Sequence, residues 1–69
     1  MKIKVSSKNG NPIHLWAFED FKEHYHAVMM DYETQGGMII NYIVYEVQGD
    51  TIDLTYADEN GFKVEVIKE

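Results

Sequence analysis

Residues 36–50 read GGMIINYIVYEVQGD. The run from Ile39 to Val47 has the β-branched and aromatic make-up of a strand. It is apolar on both faces: Ile39, Ile43, Tyr45 and Val47 share one parity, and Ile40, Tyr42 and Val44 the other. Strands of that kind sit where a sheet is covered on both sides. A chain of 69 residues seldom supplies two covering layers, because a domain of this size buries only about 60% of its unfolded surface. The fold turns on what lies over the second side.

Downstream, Gly49-Asp50 and Asn60-Gly61 mark turns, and Ile52, Leu54, Tyr56 and then Phe62, Val64, Val66 alternate as in strands. A two-residue Gly49-Asp50 loop pairs Val47 with Ile52, Tyr45 with Leu54 and Ile43 with Tyr56. A three-residue loop at Glu59-Asn60-Gly61 sets Tyr56 opposite Val64 and Leu54 opposite Val66, whereas a two-residue loop would put them on opposite faces. The sequence therefore predicts a bulged hairpin with Gly61 left-handed.

Upstream, FEDFKEHYHAVMMDYE places Phe18, Phe21, Tyr25, Val28, Met29 and Tyr32 at three- and four-residue spacing, with most charged residues between them. This pattern predicts an amphipathic helix from residue 17 or 18, ended by Gly36-Gly37 at a left-handed C-cap. Phe21 and Tyr25 are expected to pack on Ile43, Tyr45, Leu54 and Val64. Ile13-His14-Leu15-Trp16 reads as a strand pairing with Ile3–Ser6 across the Asn9-Gly10-Asn11-Pro12 turn. The expected fold is one α+β domain over residues 1–69: an antiparallel sheet with one helix on one face, in the order β-β-α-β-β-β. If Pro12 instead starts the helix, one strand is lost and the order is β-α-β-β-β.

The formal net charge is -6. Lys2, Lys4 and Lys8 fall in the first ten residues without an acid. The rest holds three lysines against all twelve acids, which leaves -9. Arginine is absent, and with it the forks used for phosphate and carboxylate. Direct nucleic-acid binding is not expected. An acidic protein seated in a basic groove of another protein is compatible with this charge, as is an acidic mimic of nucleic acid. There is no cysteine, so disulfides and thiolate metal sites are excluded, which fits a reducing compartment. No run reaches the length of a signal peptide or a membrane span, and a cytoplasmic protein is expected.

Chemistry has few candidates. His24 and His26 point apart on a helix. Glu23 and His26 at i, i+3 make one of the two Glu-x-x-His pairs that a carboxylate-bridged di-metal site needs beside two further glutamates, and adding His14 has no geometric basis. Ser6 and Ser7 lack the setting of a nucleophile. No catalytic, cofactor-binding or metal residue is assigned, and an enzyme is not expected. A histidine/carboxylate metal protein or small enzyme is the alternative.

What stands out is the second apolar row. Ile40, Tyr42 and Val44, with Ile67 from the last strand, form an apolar centre rimmed by Thr51, Asp53, Thr55, Lys63 and Glu65. Met30 lies off the helix stripe and is free for contact. Such patches mark contact sites. The sequence thus predicts a small acidic protein–protein interaction module, an inhibitor or adaptor of a larger partner, of a size and charge common among phage and mobile-element proteins. Self-association as a homodimer through Ile40, Tyr42, Val44 and Ile67 is expected.

Overall fold

A computed structural model describes residues 1–68 of the chain. Its elements run β1 (Lys2–Ser7), β2 (Ile13–His14), α1 (Leu15–Tyr25), β3 (Val28–Gly36), β4 (Ile39–Glu46), α2 (Thr55–Glu59) and β5 (Phe62–Ile67). The fold is α+β. All five strands join one antiparallel sheet, with β4 central. β3 pairs along one edge of β4. On the other edge β1 pairs with Ile43–Glu46, and β2 carries on at Ile39 and Ile40. β5 pairs with the far side of β1.

Helix α1 covers one face. Ile3, Val5, Phe18 and Phe21 have no exposed surface, and Ile43, Tyr45, Val47, Ala57 and Phe62 join them. Phe21 stacks on Tyr45 with ring centroids 5.5 Å apart and meets Phe62 edge-on at 5.1 Å. The Tyr45 hydroxyl donates to the Phe18 carbonyl at 3.4 Å. Phe21 and Tyr25 thus do lie on the helix. Its start differs by two or three residues from the expected one, with His14 Nδ1 accepting the Trp16 N–H at 3.2 Å, so a side-chain acceptor satisfies one first-turn donor.

The helix stops well before Gly36. His26 is left-handed, with φ 52°. Its N–H donates to the Glu23 carbonyl, and the Ala27 N–H to the Lys22 carbonyl at 3.0 Å, which is the Schellman closure. The predicted helical residues Val28, Met29 and Tyr32 belong to β3 instead. Gly36-Gly37 is not a helix stop but part of the β3–β4 turn, where Gly36 already pairs with Ile39.

Three further expectations are corrected. The segment 13–16 does not pair with Ile3–Ser6, because both edges of β1 are taken by β4 and β5. Only Ile13 and His14 are strand, and they extend the sheet along β4. Residues 51–56 form no strand, since both edges of β4 are filled. Instead the Asp53 carboxylate accepts the Thr55 N–H at 2.9 Å and its hydroxyl at 2.7 Å, a local turn that competes with a ladder, and α2 follows. Gly61 is left-handed, φ 77°, but it closes α2, its N–H donating to the Asp58 carbonyl at 3.3 Å, rather than bulging a hairpin.

The last correction concerns the double-sided strand. Glu33 pairs with Tyr42 and Thr34 with Ile40, so Asn41 is an extra residue in β4. A bulge of this kind flips parity along the strand. Ile40 therefore turns into the core at 3% exposure, while Ile39 is left 39% exposed.

Candidate contact surfaces

Of the five predicted contact residues, the structure brings three to the sheet face away from α1. Val44 pairs with Lys4, which pairs with Glu65; Glu46 pairs with Lys2, which pairs with Ile67. Directly paired residues share a face, so Val44 and Ile67 lie with the lysines, and Tyr42 follows Val44 by parity. Ile40 is lost to the core, and Met30 sits apart in β3. Nor do Thr51, Asp53 and Thr55 form the predicted rim, since they are not in the sheet; Lys63 and Glu65 do border it, bridged at 3.1 Å. Tyr42 and Val44 are only half-exposed. Lys4 Nζ lies 4.5 Å above the Tyr42 ring. Lysine stems can shield apolar surface while keeping their charge in water, and Lys4 is placed to do so over Tyr42.

A larger apolar surface lies where the sequence pattern reads as helix. All nine residues of β3 are exposed. Val28, Met29, Met30 and Tyr32 are at 48–61% and Trp16 at 71%. On the helix side, Met29 pairs with Tyr45 and Tyr32 with Ile43. Together with Leu15, Gly37, Ile40 and Ile43 they line an open groove of about 230 Å³ between α1 and β3. Both elements also carry charge outside the groove lining, Asp31 and Glu33 lying on the opposite sheet face. Glu19, Asp20 and Glu23 lie exposed on α1 around Lys22, and β3 contributes Asp31 and Glu33 with no base. Glu19 is close enough to add to the effect of burial on Tyr45, whose hydroxyl is pushed up to about 12.

The outer edge of β3 has no strand partner among the described residues. The Val47 N–H donates to the Met1 carbonyl at 2.9 Å, so Tyr45 and Ile43 turn their main chain toward β1. Their opposites in β3, Met29 and Tyr32, turn theirs outward, as antiparallel alternation requires. One outward donor is already engaged: the Tyr32 N–H donates to Asp31 Oδ1 at 2.8 Å. Met30 is an extra residue between the pairs made by Met29 and Asp31, a second bulge.

The histidines have local roles. His14 caps α1, and His26 ends it. His24 stacks on Tyr56 with centroids 4.1 Å apart. Beside it the Tyr25 hydroxyl donates to the Asp53 carbonyl at 2.6 Å and accepts the Ala57 N–H at 3.3 Å, tying α1 to α2. Burial, with Asp53 adding charge, raises the Tyr25 hydroxyl. The two hydrogen bonds from Thr55 hold the Asp53 carboxyl low, with His24 contributing. Among the described residues no three His, Asp or Glu side chains converge as metal ligands, and no helix is long and apolar enough to cross a membrane.

No protein-family model, curated protein or solved structure matches the chain.

The β3 surface is hidden from local sequence because Val28, Met29 and Tyr32 continue the three- and four-residue spacing of Phe21 and Tyr25. The available sign is the strand formers Val28, Tyr32 and Thr34 soon after His26, a residue type enriched at left-handed positions.

Proposed function

We propose that the chain acts by binding another protein, as a small acidic interaction module serving as inhibitor or adaptor. The contact is made through the flank built from β3, the β3–β4 turn and the start of α1. One observation carries this. Of ten large apolar side chains left exposed among the described residues, seven fall on this flank: Trp16, four residues of β3, Met38 and Ile39. Exposed apolar side chains concentrated on one part of a fold mark contact sites, whereas scattered ones do not. The lack of cysteine suits a reducing compartment, so the partner is sought in the cytoplasm. A photo-crosslinking residue placed at position 30, on the flank, or at position 65, on the open sheet face, tests this in cells of the source organism. A discrete protein adduct from position 30 alone is expected. An adduct from position 65 alone moves the contact to the open face, and no adduct from either removes the proposal.

A second reading, a homodimer through Tyr42, Val44 and Ile67, is favoured by the charge layout of the open face. Asp31 and Glu33 border β4 on one side, and Lys2 and Lys4 on the other. Turning a second copy about an axis parallel to β4 lays its acids over these lysines, which is the complementarity that fixes orientation in an interface. Sedimentation equilibrium of wild type and Tyr42→Asp decides it. Dimers lost in the variant support it, and a wild-type monomer at micromolar concentration ends it.

A further inference from the structure

We propose that the occupant of the β3 flank is an extended segment of the partner protein that adds to the free edge of β3 as a further strand. Its apolar side chains face the groove, and its lysine or arginine side chains face Asp31 and Glu33. This rests on the flank being the contact surface and names what binds there.

The geometry supplies each part. An added strand alternates its side chains between the two faces of the sheet. On the α1 side it meets Met29, Tyr32 and Leu15, an apolar floor. On the other side it meets Asp31 and Glu33, which share a face with Val44 and Tyr42. Main-chain hydrogen bonds give such a segment its hold, and the alternate pockets give it specificity. The segment that fits is one in which apolar and basic residues alternate.

A second copy of this chain fits poorly on the same edge. Antiparallel pairing of β3 with its own copy, centred on Asp31, Tyr32 or Glu33, sets acid directly opposite acid. Like charges in that position destabilise a sheet. The Asp31 carboxylate also holds the outward Tyr32 N–H, and Met30 bulges the strand. Bulges and charges on an edge are the means by which sheets avoid indiscriminate pairing. A basic side chain on the incoming strand offers the Asp31 carboxylate a new partner as the Tyr32 N–H passes to a carbonyl of that strand. A second copy offers none.

The test is an amide NMR titration of the full chain with three synthetic heptapeptides. The first alternates lysine with valine and leucine. The second has the same composition with its lysines in one block. The third has glutamate for lysine. The alternating peptide is expected to bind saturably, with shifts confined to β3, Leu15 and Trp16, and more weakly as salt rises. The blocked and acidic peptides are expected to leave β3 unshifted. Removing both charges with Asp31→Asn and Glu33→Gln is expected to weaken binding about five- to tenfold. Equal response to the alternating and blocked peptides overturns strand addition, because charge alone would then explain it. Shifts at Tyr42, Val44 and Ile67, or concentration-dependent shifts of β3 without peptide, also overturn it. A position-30 adduct together with no peptide response overturns the strand while leaving the flank as the contact surface.

Discussion

β1 and β3 lie on opposite edges of the same strand, and they do different jobs. β1 buries Ile3 and Val5 beneath α1 and sends Lys2 and Lys4 to the open face. β3 is paired along its whole length, yet none of its nine residues is buried. The helix causes this difference. The rings of Phe18 and Phe21 reach Tyr45 on β4 and Phe62 on β5, so β1 lies within the covered strip and β3 outside it. Apolar burial is the main stabilising contribution. Stability is therefore concentrated under α1, and β3 is held chiefly by its ladder. Side chains that do little for stability are free to serve contact, which is why the candidate surface lies on β3.

Phe21→Ala puts the most at stake in this comparison. It empties the centre of the covered strip and should cost about 3–5 kcal/mol, a large part of the stability of so small a domain. Urea denaturation followed by circular dichroism reads it, and an unshifted midpoint would contradict the placement of α1.

Tyr45 gives the next effect. Its hydroxyl is raised to about 12 by burial and by Glu19, so the folded state holds the proton more tightly than the unfolded chain, whose value is about 10. That stability is fully present below about pH 10 and is lost between about pH 10 and 12, roughly 2–3 kcal/mol in all. Denaturation midpoints across this range should fall in wild type and fall less in Tyr45→Phe.

Gly61→Ala acts at the edge of the covered strip, where α2 gives way to β5. At φ 77° with open space where a Cβ would stand, the penalty is one of backbone conformation rather than collision, about 1 kcal/mol. A midpoint equal to wild type would mean that the chain finds another route out of α2.

Met30→Ser and Tyr32→Ser should have the smallest effects, each within about 0.5–1 kcal/mol, because both side chains are already about half in water. A loss as large as that of Phe21→Ala would show β3 to be part of the core, and the contrast between the two edges would collapse.

Several features are legible from local sequence. The stripe Phe18, Phe21, Tyr25 marks α1, and the alternation Phe62, Val64 marks β5. The double-sided composition of residues 39–47 marks a central strand, though composition alone implies two covering layers. A change of parity takes Ile40 into the core, and Lys4 lies over Tyr42, which lessens that need. Gly61 shows its left-handed backbone without showing whether a hairpin or a helix demands it. The flank is half legible: Met30 stands out as an apolar residue off the helix stripe, and it is exposed, but β3 and its groove do not stand out.

The sequence by itself determined the α+β class, the amphipathic helix, the central strand, the acidic charge and the absence of thiol chemistry, because each follows from composition or from periodicity within a few residues. Only the tertiary structure decided where α1 stops, that residues 28–36 are a strand, that 51–54 are not, and that Ile40 rather than Ile39 is buried. Val28, Met29 and Tyr32 satisfy a helical period when counted from Tyr25, while Met29 and Tyr32 satisfy a strand period with Met30 bulged and Val28 turns to the opposite face. Local spacing cannot choose between these. What chooses is pairing with β4, whose main-chain donors and acceptors need partners, and the Gly36-Gly37 turn folds residues 28–36 back alongside it to provide them.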